Sequence, residues 1–369
     1  MGLSGWATND GTAAYRQRFQ GRIPGDHFRL SQGLWLSSIG IGTYLGNHDD
    51  AADELYKNAI VRAVELGCNV IDTAVNYRFQ RSERNIGAAL KDLLQRGYER
   101  TGVVVATKGG YLPFDGAPPA DIKSYFVDTF VKTGVATPAD LVAGCHCMTP
   151  SYLLNQLDAS RQNLDLDCID IYYVHNPETQ FAQVSRDEFN ERLLKAFEAL
   201  EGAVEAGKIR MYGMATWNAF RSDAGAKEYL SLAEVVETAR KAGGDDHHFK
   251  VIQLPLNLGM VEALTKRNQT LQGEGLSTLE AAQALGITVM CSASIYQGQL
   301  ARSLPPFVGE VFDGLATDAQ RALQFVRSTP GVTTALVGMK QMQHVEENLK
   351  TAEVSPALWE QYARLFKGG

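Results

Sequence analysis

From about residue 37 the chain alternates short apolar runs with longer stretches in which apolar residues recur every three or four positions. The runs are Ser38–Gly42, Asn69–Asp72, Val103–Thr107, Ile169–His175, Met211–Thr216, Val251–Leu254, Ile287–Ser292 and Thr334–Gly338. Each is a short, mainly apolar run rather than an alternating one, as parallel strands buried on both faces require. Helical periodicity fills the intervals Asp53–Leu66, Ser82–Leu94, Ser151–Leu164, Glu188–Ala206, Leu230–Ala242, Leu276–Leu285 and Ala316–Ser328. The pairs Leu66-Gly67, Ala206-Gly207 and Leu285-Gly286 each precede a strand, and glycine suits the left-handed turn that ends a helix. Eight strands joined by crossover helices predict an α/β fold, a (β/α)8 TIM barrel in one domain over residues 1–369. A doubly wound sheet is the alternative. Two tail helices, Met342–Thr351 and Pro356–Phe366, are expected to close the chain.

Length marks where the rhythm breaks. At 369 residues the chain exceeds a typical ~250-residue barrel by about 120. Residues 1–36 form an N-terminal extension, and within it Phe28–Leu36, with Ser31-Gln32-Gly33 at its centre, predicts a hairpin that plugs the barrel's bottom. Tyr77 to Lys108 spans 31 residues, but Lys108 to His175 spans 67. The excess is a proline-rich inserted loop at 111–149, and a loop of that length is uncommon unless it is functional. It is expected to lie on the catalytic face and wall a substrate pocket with Tyr111, Phe114, Tyr125 and Phe126. A shorter excursion covers Gly298–Gly314.

Composition excludes several classes. With 45% hydrophobic and 21% charged residues the chain can bury a large core. The formal net charge is −7 without a basic stripe, which argues against nucleic acid as a partner. No apolar run approaches the ~20 residues of a membrane helix. The start lacks the charged and apolar segments of a signal peptide, and Trp6 occupies the place where myristoylation wants Ser or Thr. Five scattered cysteines (68, 145, 147, 168, 291) read as reduced thiols, so a cytoplasmic address is expected. No feature predicts an oligomeric state.

A barrel's chemistry gathers where its strands end. Asp72 ends the second strand, with Tyr77 five residues on; Lys108 ends the third and His175 the fourth. Taken singly they have ordinary explanations: a helix cap, a packed aromatic, a solvated strand end and a turn brace. Their arrival on three successive strands points to one site.

The stretches DTAVNY, ATKGG and IDIYYVHNP resemble the Asp, Tyr, Lys and His motifs of the aldo-keto reductases. Gly40-Ile41-Gly42-Thr43-Tyr44, Ser82-Glu83, Gly207-Lys208-Ile209-Arg210, Gly338-Met339-Lys340 and Glu347-Asn348-Leu349 agree in order over residues 37–352. The resemblance implies hydride transfer between NADP(H) and a carbonyl or alcohol, such as a sugar or other polar compound. Tyr77 would be the general acid/base. An unperturbed phenol, with pKa ~10, is a sluggish acid. Lys108 is therefore expected to lower the Tyr77 pKa, Asp72 to keep Lys108 charged, and His175 to hydrogen-bond the carbonyl oxygen.

For the cofactor the resemblance implies contacts from Gly42, Thr43, Tyr44 and Asp72, with Gln253 holding the nicotinamide carboxamide. Gly338, Lys340, His344, Glu347 and Asn348 would surround the adenosine phosphate, and a lysine there favours NADP over NAD. Two positions depart from the family. Its usual Ser-Asn pair after the fifth strand is Ala215-Thr216 here, leaving Thr216 or Asn218 to serve. Ser292 stands where an aromatic ring commonly stacks, with Tyr296 four residues later. His48, Tyr111 and Phe114 are substrate candidates, although an aspartate beside His48 also suits a helix cap. An NAD-linked sugar dehydrogenase and a nicotinamide-binding regulatory subunit with little turnover are the alternatives.

Other motifs are rejected. Gly202 to Lys208 imitates a phosphate loop, but Ile209 replaces the Ser/Thr. Gly40-Ile41-Gly42 has Leu45 in place of a third glycine, and no Tyr-x-x-x-Lys occurs. Cys145-His146-Cys147 lacks the spacing of a structural zinc site, and no metal is expected.

Overall fold

The computed structural model describes residues 2–366; Met1, the first residue of the N-terminal extension, and residues 367–369 at the predicted domain's end lie outside the described part. A hairpin of β1 (Phe28–Ser31) and β2 (Leu34–Ser37) precedes the barrel. Strands β3 (Ile39–Gly42), β4 (Val70–Asp72), β5 (Val104–Gly109), β6 (Ile169–His175), β7 (Ile209–Ala215) and β8 (Phe249–Pro255) follow. A small outer hairpin, β9 (Gln269–Leu271) with β10 (Glu274–Leu276), was not foreseen. After it come β11 (Thr288–Ser292) and β12 (Thr334–Gly338). All eight barrel strands are parallel, and β12 pairs with β3 to close the ring. The doubly wound alternative fails on that closure. Among the described residues no helix is long and apolar enough to cross a membrane.

The barrel's interior packs Val70, Val104, Ala106, Ile171, Tyr173 and Met290 together with Leu34 and Leu36. The hairpin therefore plugs the bottom as its sequence suggested, each buried leucine contributing about 1.5–3 kcal/mol. The extension also holds a helix the periodicity did not show, Asn9–Gln17, capped by Thr8 Oγ1 accepting from the Gly11 amide. Beneath the strands the Asp170 carboxylate accepts from Arg100, from the Val105 amide and from the Ala7 amide. This buried carboxylate ties the extension to two barrel strands.

The 111–149 stretch is not a structureless loop. It carries the helix Ile122–Phe126, capped by Asp121, and a wider helical turn over Val127–Val131. Leu112, Phe126, Phe130 and Tyr152 form a satellite core of their own, with Phe114 and Tyr125 packed against it. The excursion after β11 likewise contains a short helix, Pro306–Val311. The last predicted helix is two short turns, Trp359–Tyr362 and Ala363–Phe366.

Candidate active site

Strand register brings the four residues together. Asp72 lies level with Ala106 of β5, Lys108 level with Tyr173 of β6, and His175 level with Ala215 of β7. All therefore emerge at the C-terminal rim. Tyr77 follows β4 on a loop where Arg78, Phe79 and Gln80 take left-handed backbone angles. That turn is held by the buried Arg78, whose Nη2 donates to Asp53 at 2.5 Å and whose Nε donates to the Asn47 carbonyl at 2.7 Å.

Lys108 is fully buried, and its ammonium donates to Asp72 Oδ1 at 2.6 Å and to the Thr73 carbonyl at 2.7 Å. The second Asp72 oxygen accepts from Gln253 Nε2 at 2.7 Å. The Lys108 nitrogen sits 5.0 Å from the centre of the Tyr77 ring, and that ring meets His175 edge-on at 5.8 Å. Burial pushes the Lys108 ammonium below its usual range, and Asp72 pulls it back up. The His175 imidazole is held well below its usual value by burial, then by the Lys108 charge and by His146, so it is neutral.

The expected lowering of the Tyr77 pKa is reversed. Burial, followed by the Asp72 carboxylate and then Tyr44 and Tyr111, pushes the phenol well above its ordinary value. The reason is burial first: desolvation disfavours the phenolate, and the nearby Asp72 carboxylate opposes a second negative charge. The resting site thus holds a protonated phenol, a neutral imidazole and a buried ion pair.

These groups border a cavity of about 910 Å³, within the range of cofactor and ligand pockets. Of the residues expected at the cofactor, Gly42, Thr43, Tyr44, Asp72, Thr216, Gln253, Ser292, Gly338, His344, Glu347 and Asn348 line it. Lys340 does not; its aliphatic chain runs past Gly46. A cation does reach the cavity, but it is Arg302, from the excursion after β11. Gln253 has its amide nitrogen engaged by Asp72, which leaves its carbonyl oxygen as the end free to meet a carboxamide.

Four lining residues carry a buried polar atom without a protein partner: Asn76 Oδ1, His175 Nδ1, Thr216 Oγ1 and Asn348 Oδ1. Buried polar groups are normally paired, so these mark places for a ligand's donors and acceptors.

Among the substrate candidates only Tyr111 lines the cavity. Phe114 packs against Phe79 and Tyr125 instead, and His48 packs edge-on to Phe79 at 4.8 Å. Tyr125 and Phe126 are also absent from the lining. These rings bury one another because the insert needs its own apolar core. Asp49 Oδ1 caps the helix Asp50–Glu65 by accepting from the Ala52 amide at 2.8 Å. Asn76, Trp217, Leu45 and Arg302 line the cavity and were missed. Asn76 alone had a signal, as the polar residue beside Tyr77.

Comparison with known proteins follows the same line. A profile described as the Aldo/keto reductase family matches residues 38–233. A Schizosaccharomyces pombe protein named "Putative voltage-gated potassium channel subunit beta" is 24% identical over 353 residues, covering 92% of each chain. The "Aldo-keto reductase yakc [NADP(+)]" of the same organism is 29% identical over 205 residues, 55% of this chain and 49% of that one. An aldo/keto reductase from Klebsiella pneumoniae, crystallised with NADP and acetate, superimposes with a TM-score of 0.58 at 20% identity, over 93% of this chain and 94% of that one.

Proposed function

Because the chain belongs to the aldo-keto reductase family, we propose that it is an NADP(H)-dependent oxidoreductase of a carbonyl or alcohol substrate. The observation that carries this reading is the buried Lys108–Asp72 pair set beside Tyr77 and His175 at the rim of one large cavity. NADP(H), when bound, supplies or accepts the hydride. Thr216, Gln253 and Ser292 would hold its nicotinamide, and Gly338, His344, Glu347 and Asn348 its adenosine part. The unpartnered Thr216 Oγ1 and Asn348 Oδ1 suit such a polar guest. Arg302 is the cation that supports NADP over NAD, by offsetting a phosphate.

In the reductive direction Tyr77 gives its proton to the substrate oxygen as negative charge develops there. An alkoxide is a stronger base than a phenolate, so even a phenol with a raised pKa can deliver that proton. The buried Lys108 ammonium stabilises the phenolate left behind, and Asp72 keeps Lys108 charged while it does so. His175, a neutral imidazole, orients the carbonyl through a hydrogen bond. In oxidation Tyr77 returns as the base. The aromatic walls Tyr44, Tyr111 and Trp217, with the amides of Asn76 and Asn176, suit a polar compound with apolar faces, such as a sugar.

A second reading has its own support, since the full-length relative from S. pombe carries a channel-subunit name. In that case the nicotinamide would report to a partner with little turnover. Purified protein offered NADPH and a panel of aldehydes and ketones separates the two. The oxidoreductase reading expects multiple turnovers, and a loss of about 10²–10⁴-fold in Tyr77→Phe with NADPH affinity within about twofold. Tight NADPH binding without repeated turnover on any member would favour the subunit, and unchanged turnover in the variant would remove Tyr77 as proton donor.

A further inference from the structure

The insert contributes a residue to the site from its far end. His146 is fully buried and hydrogen-bonded through both ring nitrogens: Nε2 lies 2.7 Å from the backbone carbonyl of His175, and Nδ1 lies 2.8 Å from Gln180 Nε2. The direction of these bonds is determined. Arg192 can only donate, and its Nη1 lies 2.6 Å from Gln180 Oε1, so the Gln180 amide must present its nitrogen to His146. His146 Nδ1 then accepts, and the imidazole proton sits on Nε2, pointing at the His175 carbonyl. Burial pushes His146 down to about 4, which keeps it neutral and in this tautomer near physiological pH.

The surroundings are built around this bond. Gly110 has φ +133°, and a Cβ there would come within 2.8 Å of His146 Nε2 and 3.2 Å of the His175 carbonyl oxygen. Tyr111 stands between the two imidazoles, edge-on to His146 at 5.2 Å and to His175 at 5.0 Å. Its hydroxyl accepts from Asn176 Nδ2 at 3.2 Å, on the residue after His175. Both the peptide and the ring of His175 are therefore held from the insert.

The structure assigns His146 as a positioning residue: through the chain Arg192, Gln180, His146 it fixes the strand end that carries His175 and so aims that imidazole at the substrate oxygen. The assignment rests on the oxidoreductase reading for its kinetic consequence but not for its geometry. A misaligned group can cost up to about 100-fold in rate. His146→Leu is accordingly expected to lower kcat about 10- to 100-fold while NADPH affinity stays within about twofold. His146→Gln, which keeps a donor able to reach the His175 carbonyl, should recover most of that loss. Gly110→Ala, which crowds the same bond without removing a polar group, should lower kcat as well.

Selective ring-15N histidine labelling supplies a readout that needs no turnover. With NADP+ bound, the His175 imidazole resonances should move in His146→Leu and return in His146→Gln. A kcat within twofold of wild type in His146→Leu, or His175 resonances unmoved by it, would overturn the assignment. Equal losses of kcat in the Leu and Gln variants that track equal losses of thermal stability would also overturn it, by showing a purely structural role. If the wild type turns over no carbonyl, the oxidoreductase reading fails while the resonances still decide the positioning role.

Discussion

Replacing Asp72 with Asn leaves the Lys108 ammonium fully buried with neutral acceptors only, because its other partner is the Thr73 carbonyl. Removing one member of a buried pair costs about 3–5 kcal/mol. At ~2.1 cal/mol/K per residue, a 369-residue chain has an unfolding entropy near 0.8 kcal/mol/K, so each kcal/mol moves the melting temperature by about 1.3 °C. The expected loss is therefore roughly 4–6 °C. Its pH dependence has a definite sign. The folded Lys108 pKa already lies below the unfolded value, and losing the carboxylate lowers it further. Between the folded and unfolded values the unfolded chain binds the extra proton, so stability rises with pH in that window. In Asp72→Asn the window opens at lower pH, and the deficit against wild type should narrow as pH rises from 7 towards 10. Thermal and urea unfolding of wild type, Asp72→Asn, Lys108→Met and the double variant across that range measures both effects. The double variant should be less destabilised than the sum of the singles by about 2–3 kcal/mol. A strictly additive double variant with a pH-independent deficit would show that the two residues are not an energetically coupled buried pair.

Arg302→Met should weaken NADPH more than NADH, as a titration of intrinsic fluorescence can measure, while Lys340→Met should have the smaller effect of the two. The reverse order would mean that Lys340 swings into the cavity when cofactor binds. Acid should destabilise the fold well before its carboxylates titrate. Burial holds His27 at about 3 and His146 at about 4, whereas the unfolded chain takes up these protons near 6.5. The unfolded state therefore binds more protons below pH 6.5, and stability falls by about 3 kcal/mol per pH unit from the two groups together until His146 titrates. Urea midpoints that stay flat between pH 7 and 5 would contradict the burial of both rings.

The strands were legible because each is a short, mainly apolar run, as burial on both faces demands. Ile169–His175 and Thr334–Gly338 match to the residue. The rim positions of Asp72, Lys108 and His175 were legible for a related reason: strand ends are places where polar residues interrupt those runs. The helix at Asn9–Gln17 was not, since only Thr12 and Tyr15 are buried and its other residues are small or polar. The insert hid its own small core because its aromatic residues look alike whether they line a pocket or pack on each other.

Sequence by itself thus determined the barrel, the plugging hairpin and which side chains stand at the C-terminal rim, because hydrophobic period and position along a strand are local properties. Tertiary structure decided what those side chains experience. Only the three-dimensional arrangement buries Tyr77 and sets the Asp72 carboxylate near it, and so turns a lowered phenol pKa into a raised one. It also brings Arg302 rather than Lys340 to the cavity, and carries His146 back to the His175 carbonyl across 29 residues of chain. Charge interactions, desolvation and hydrogen-bond direction depend on distances of a few ångströms between residues far apart in sequence, and only the folded chain brings those residues together.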